Sequence, residues 1–488
     1  MKTAFVVALC VLPLFAACTV GPNFEKPAPP KVSGYAPTPP VPTSSTSDVA
    51  GGQAQSFVVG GDIPGQWWAL FRCKPLNMLI ERALEANPNL KAAQAALTVA
   101  HEMVLAGYGA YQPSVSAGVA ASRNMTSGQI APVPNNNDYY FSLFTPQISV
   151  SYVPDVFGLN RRTVEALSAQ ASGARFALAA TDITLSSNVA VGAIQEAALR
   201  AQIATAHKLV AINTSMLRIL RKQFKKGYVG RLDVIAQATQ LEQVRATLPP
   251  LQKQLVQQRD LLTALTGGFP DKELPEQFTL ADLKLPQRLP LSLPSQLVEQ
   301  RPDVLMAEAN LHAASAEIGI AVAHRLPNVT LTADLGSMAL AFSQIFAGGT
   351  NFWDLGVGLT QPVFEGGSLL HQERAARAAY VEADEQYSST VLSAFQNVAD
   401  TLHALQQDAD ALKAAGAAKD RAQLSLELTS KQWQSGYTGY LTVLSAEQAY
   451  QQAVLNLTQA QAERYFDTVA LFQALGGGWS NRAELSKQ

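Results

Sequence analysis

The sequence predicts an α+β membrane protein with an internal duplication, and three observations carry that prediction. A helix end, a break and a restart occur twice. They read Lys222-Gln223-Phe224-Lys225-Lys226-Gly227-Tyr228-Val229-Gly230-Arg231-Leu232-Asp233-Val234 and Lys431-Gln432-Trp433-Gln434-Ser435-Gly436-Tyr437-Thr438-Gly439-Tyr440-Leu441-Thr442-Val443. Each copy holds a proline-free helical stretch too long for a globule. Between the helices the pattern switches to the two-residue alternation of strands.

The N-terminus reads as an export signal. Met1-Lys2-Thr3 precedes an apolar run from Ala4 to Ala17, too short to span a bilayer, so residues 1–17 are assigned as a signal peptide. The run ends Leu14-Phe15-Ala16-Ala17-Cys18, which resembles a bacterial lipobox and predicts lipidation of Cys18. Thr19, rather than Asp, follows it, which implies sorting to the outer membrane. Residues 18–65 are rich in Pro, Ser, Thr and Gly and read as an extended tether. Cys73 is the one cysteine left after processing and acylation. No internal disulfide is possible, and a small buried hydrophobe is its expected role.

The first repeat is placed at 66–270. A helix over about Leu90 to Tyr111 leads through Pro113 to a strand pair over about 113–153, with Ser114 to Ala120 and Gln147 to Val153 as its alternating cores. A helix from about Leu159 to Lys226 follows, roughly 100 Å long at 1.5 Å per residue. Such a helix needs partners along its length. The tip, 227–233, reverses the chain into a helix over about Leu232 to Leu265, which Pro249-Pro250 is expected to kink or break. Residues 271–290 read as a linker.

The second repeat, 291–479, runs in the same order, and a short tail, 480–488, ends the chain. Its strand pair lies at about 327–362, its long helix at about 369–435 and its tip at 436–442. Each strand is about as long as a tilted bilayer crossing requires. Tyr139, Tyr140, Phe141, Phe144, Phe352 and Trp353 lie near strand ends, where an interfacial girdle is expected. Four strands cannot close a barrel, so two, three or four copies must combine, and strand counting does not choose among them.

Composition narrows the class. The formal charge is −2 with no evident basic stripe, which argues against nucleic-acid binding. The six histidines form no His-Glu-x-x-His motif and have no cysteine at ligand spacing. Phosphate-loop, dinucleotide and nucleophile-elbow motifs are missing too, so no catalytic constellation and no cofactor site is expected.

Several stretches carry a resemblance. Glu299-Gln300-Arg301-Pro302-Asp303-Val304, then Ala307-Glu308, Ala313-Ala314, Ile318-Gly319 and Leu326-Pro327, are similar to the outer-membrane efflux factor family. So are Cys18-Thr19-Val20-Gly21-Pro22-Asn23-Phe24 and Leu475-Gly476-Gly477-Gly478-Trp479. The resemblance implies a homotrimer with a twelve-stranded outer-membrane β-barrel continuous with a periplasmic α-helical coiled-coil barrel. A periplasmic adaptor (membrane fusion) protein and a proton-driven inner-membrane transporter of the RND type would dock below. The subunit would have no enzymatic activity. By position in the motif, the resemblance makes Asp233, Arg231, Tyr440 and Thr442 periplasmic gate candidates. It makes Gly227, Gly230, Gly436 and Gly439 the hairpin tips that an adaptor grips. Thr442 or Ser445 stands where relatives often carry an acid, which weakens an acidic ring. Two other readings stay open: an exit duct for protein secretion, and a structural coiled-coil lipoprotein, which would lack strands between Pro113 and Val153.

Overall fold

The structure, a computed structural model, describes residues 19–47, 49–125 and 140–482. Cys18, the signal segment, Tyr139 and the predicted loop at 135–138 lie outside the described residues. The helices are α1 (Lys74–Ala86), α2 (Pro88–Tyr108), α3 (Leu159–Lys225), α4 (Arg231–Leu265), α5 (Pro294–Gln300), α6 (Pro302–Ala323), α7 (Ser368–Gln434) and α8 (Tyr440–Ala474). The strands are β1 (Ser56–Val59), β2 (Ser114–Met125), β3 (Tyr140–Tyr152), β4 (Arg288–Leu291), β5 (Asn328–Ser337) and β6 (Asn351–Thr360). The two halves match in length: α3 and α7 have 67 residues each, α4 and α8 35 each. The contacts divide the chain into two units.

The first unit takes the described part of Met1–Pro27, with Leu97–Gly173 and Ala307–Tyr387. Its centre is an antiparallel sheet in the order β2-β3-β5-β6. The register aligns the side-chain alternation of all four strands. Val115, Val150, Ala333 and Leu355 share one face; Ser116, Ser149, Asp334 and Asp354 share the other. The apolar face is exposed, with Val119, Trp353, Leu355 and Val357 each at least 70% accessible. On the polar face Ser149 bonds to Asp334. The aromatic expectation is half corrected. Tyr140, Phe144 and Trp353 fall on the apolar face, whereas the period of two puts Phe141 and Phe352 on the polar side. There the Phe352 ring lies over Gly336.

The residues after Cys18 are strapped to this unit. Val20 N–H donates to Phe157 O at 3.1 Å. The Arg162 guanidinium donates to Val20 O, Gly21 O and Asn23 Oδ1 at 3.1, 3.3 and 2.9 Å. Phe24 stacks on His312 at 4.2 Å. Gly21, at φ +88°, sits so near Gly319 that a Cβ there would lie 2.4 Å from the Gly319 Cα.

The second unit takes Ala28–Ala96, Ala174–Met306 and Ser388–Gln488, described to residue 482. The proline-rich segment, expected as an extended tether, is tied to the folded body: β1 pairs in parallel with β4, and Gln55 is fully buried, donating to Pro286 O and Thr468 Oγ1 at 3.0 Å each. The linker at 271–290 is likewise held in place. Arg259 holds its carbonyls, Leu274 O at 2.7 Å and Glu276 O at 3.2 Å, while bonding Glu196 at 2.9 Å. Both segments hide from composition because main-chain pairing and a few long side chains fix them.

Of the kink or break expected at Pro249-Pro250, the break does not occur: helix α4 runs on through both prolines. Both prolines are exposed, so the carbonyls that lose a partner can turn to water. By composition α3 has a window apolar enough to suit a membrane helix, but 67% of it is buried inside the protein, as in a core helix.

The Arg301-Pro302-Asp303 stretch acquires a structural reason. Arg301 pairs with Asp303 and donates to Ala474 O at 2.8 Å, satisfying a carbonyl at the end of α8. Asn87 does the same in the first half, donating to Leu265 O at 2.9 Å at the end of α4. Cys73 is buried, and burial raises its thiol pKa.

Candidate gate at the helix tips

The tip candidates all belong to the second unit. Each long helix closes in the same way. Tyr228 N–H donates to Gln223 O at 3.0 Å and Tyr437 N–H to Gln432 O at 2.9 Å, across Gly227 and Gly436 at φ +76° and +80°. Glycine supplies this left-handed turn without a Cβ clash. Gly230 and Gly439 differ: both cap the next helix in extended conformation. A Cβ would meet only ordinary contacts at Gly230 and open space at Gly439, so nothing within the subunit demands glycine at either.

The four gate candidates are not equivalent. Asp233 Oδ2 accepts from Gly230 N–H at 3.0 Å, capping its own helix. Arg231 is exposed and has no hydrogen bond or ion pair among the described residues. Thr442 is exposed and accepts from Thr438 at 3.2 Å. Tyr440 alone is buried, packed with Leu220 and Val443, its ring edge-on to Trp433 at 5.5 Å.

The Tyr440 hydroxyl opens a polar seam that sequence reasoning missed. It donates to Gln237 Oε1. Gln237 Nε2 donates to Asn213 Oδ1 at 2.8 Å, and Asn213 Nδ2 to Glu447 Oε1 at 2.6 Å. A second rung joins Gln448 to Gln240 at 2.7 Å. Helix α8 is thereby tied to α3 and α4, the second repeat to the first. Gln237, Asn213 and Glu447 are buried, so parting these helices would expose or orphan every member. The available signal was a run of amides and one acid on the apolar side of Ala-rich helices.

Two members titrate abnormally. Burial, then the charges of Glu447 and Asp233, push the Tyr440 hydroxyl up, so it stays a donor. Burial also raises the Glu447 carboxyl, against the lowering bonds from Asn213 and Gln451. With a folded pKa above the unfolded value, the native state binds more protons. The seam's contribution is present at low pH and is lost as pH rises through the raised pKa. Glu447→Gln, which keeps the acceptor and removes the titration, should flatten the fall in melting temperature as pH rises above the ordinary carboxylate range. A wild-type melting temperature that does not fall there would remove Glu447 as the titrating group.

Long helices, a sheet with one exposed apolar and one polar face, and a polar seam tying the two tips together fit a membrane channel subunit. The chain belongs to the outer membrane efflux protein family, which it matches over residues 79–268 and 293–477. It is 30% identical to the pyoverdine export outer membrane protein OpmQ of Pseudomonas putida, over 91% of this chain and 94% of that protein. It is 27% identical to the toluene efflux pump outer membrane protein TtgF of the same species, over 99% of this chain and 98% of that one. The crystal structure of the outer membrane protein VceC of Vibrio cholerae superposes with a TM-score of 0.78 at 27% identity, covering 85% of this chain and 98% of that one. The chain is thus an outer-membrane exit duct of an efflux pump, in a family of channels rather than enzymes.

Proposed function

We propose that three copies close their sheets into one twelve-stranded barrel and their helices into a periplasmic tunnel. Small toxic compounds leave through it passively, delivered by a proton-driven RND-type inner-membrane transporter through a periplasmic adaptor. The observation that carries this reading is the four-stranded sheet. Its apolar face suits lipid and its polar face a wet lumen. Its outer strands, β2 and β6, each keep one unpaired edge among the described residues, which a bilayer does not tolerate. The same sheet disfavours a purely structural coiled coil.

The relatives are named for pyoverdine export, toluene efflux and, in CusC of Escherichia coli O157:H7, cation efflux. That spread fits a duct whose selectivity lies in its partners. Cys18 is the lipid attachment point, and the strap from Val20 to Phe24 fits a chain fixed to the membrane just before it. Tyr440, Asp233, Arg231 and Thr442 guard the entrance, with Tyr440 as the latch. Gly230 and Gly439, which no internal contact requires, leave room for an adaptor between the turns at Gly227 and Gly436.

Deleting the gene should raise intracellular accumulation of a fluorescent efflux substrate, and the intact gene should restore export. Cys18→Ser should lose incorporation of labelled palmitate. Unchanged accumulation across a panel of small toxic compounds would count against the reading.

A further inference from the structure

The strap from Thr19 to Phe24 runs along α6 at an even pace. Phe24 stacks on His312, and Gly21 lies against Gly319. The step from Phe24 to Gly21 in extended chain thus matches the step from His312 to Gly319 in the helix. Both are about 10 Å, at roughly 3.3 Å per extended residue and 1.5 Å per helical one. The described chain begins at Thr19, which lies so near Gly158 that a Cβ there would meet the Thr19 Cγ2 at 2.7 Å. Beside it, Val20 N–H is bonded to Phe157 O. One more such step leads from Gly21 to Cys18, and along the line of the helix from Gly319 to Leu326.

A groove of about 360 Å³ opens at that level, between the two repeats. Pro154 and Phe157 of the first repeat line it, with Leu326, Pro327, Val329 and Pro362 of the second. These residues sit in the turns after β3 and β6 and at the entry to β5, past the exposed apolar band of the sheet. In an outer-membrane duct such walls face headgroups and water rather than lipid tails. Two polar groups at the groove are already spent within the subunit. Asp155 accepts from Asn160 N–H at 3.0 Å, and Asn160 Nδ2 donates to Ala110 O at 3.1 Å. No lysine or arginine lines the groove, so it is not built for a phosphate headgroup.

We propose that this groove is the seat of an acyl chain carried by Cys18. The strap brings the lipid to the groove, where the chain packs between Phe157 of the first repeat and Leu326, Pro327 and Pro362 of the second. Each methylene that leaves headgroups and water for these walls favours the seated chain. The tails of free lipids stay within the bilayer, whereas the strap fixes the start of this one on the protein. The lipid then does more than anchor: it joins the two repeats where the sheet passes into the helices. This inference rests on the lipidation of Cys18 and adds to it the site that receives the lipid.

The test feeds cells that produce the full-length channel a palmitate analogue with a photoactivatable diazirine in its chain. Membranes are irradiated before extraction, and the adducts on the channel are mapped by mass spectrometry. The mass of each adduct tells a chain on the Cys18 peptide from a chain on a phospholipid. Wild type should carry an adduct that joins the Cys18 peptide to residues 153–160 or 323–329. Leu326→Trp, which fills the groove, should cut that adduct roughly fivefold at equal label on Cys18, since a close-packed groove leaves no room for the chain. Pro362→Trp fills it from another segment and serves should the first variant fail to assemble. Label on Cys18 with adducts only outside these segments would overturn the inference and leave lipidation and the exit duct standing. So would an adduct undiminished in an assembled tryptophan variant. A wild-type channel without label on Cys18 would overturn the inference and the lipidation together. Adducts of phospholipid mass alone in these segments would make the groove a site for free lipid and contradict the proposal.

Discussion

Tyr440→Phe combined with Gln237→Leu should raise single-channel conductance in a planar bilayer several-fold. The pair removes the first link of the seam that ties α8 to α4 and, through Asn213, to α3. Each buried hydrogen bond contributes on the order of 1 kcal/mol, and an orphaned Asn213 adds a desolvation cost of about 1–3 kcal/mol. Those costs fall on the closed arrangement of the helices, so the population shifts towards the parted one. Tyr440→Phe alone should give a smaller rise, because Gln237 stays bonded to Asn213. Asp233→Ala should also raise conductance if three such carboxylates surround the entrance. Its capping bond to Gly230 sets a competing outcome, a local loss of helix stability at unchanged conductance. Wild-type conductance in the double variant would sink the latch.

Arg464→Leu is expected to destabilise the second unit by several kcal/mol, since three buried neutral acceptors lose a charged donor at about 1–3 kcal/mol each. Arg464 is fully buried on α8 and donates to Leu405 O, Thr43 Oγ1 and Gln53 O at 2.9, 3.3 and 3.2 Å. It therefore pins the proline-rich segment as well as α7. Limited proteolysis should cut the variant first between Thr43 and Gln55. Lysine gathers its donors on one nitrogen and cannot replace the two guanidinium nitrogens that bond Leu405 on one side and Thr43 and Gln53 on the other, so it should rescue little. The neighbouring acids add a pH dependence. Burial and Asp408 push Asp467 up to about 7, while Arg464 lowers it. A carboxyl raised in the folded state contributes stability at low pH that is lost as pH rises through about 7. Removing Arg464 raises Asp467 further, so the variant's deficit should grow between pH 6 and 8. A variant as resistant as wild type at pH 8 would contradict this account of the segment.

What the sequence made legible follows from periodicity. Strands with two environments must alternate, so Val115, Ile148, Leu335 and Trp353 mark one face in the sequence alone. Helices of 67 residues and the paired Gly227 and Gly436 turns were visible because nothing interrupts the first and nothing but glycine serves the second. The rest depended on long-range partners. Strands β1 and β4 have four residues each and pair across more than two hundred positions, too short for any pattern to show. Helix α1 was passed over, although Leu76, Leu79, Ile80 and Ala83 bury one face of it. Of the gate candidates, Tyr440 came from resemblance, but its partners Gln237, Asn213 and Glu447 look like ordinary polar residues on Ala-rich helices until the fold buries them.

The central claim is that this chain lines a continuous passage across the outer membrane and periplasm. Single-particle imaging of the detergent-extracted protein, purified from outer membranes, tests it most directly. The account predicts a hollow three-fold particle with a twelve-stranded barrel at one end and a helical tube narrowing near Tyr440 and Asp233 at the other. Helices of 67 residues at 1.5 Å each require a tube of roughly 100 Å. A monomer, a particle of other symmetry, or a three-fold assembly whose β2 and β6 edges remain unpaired would contradict it.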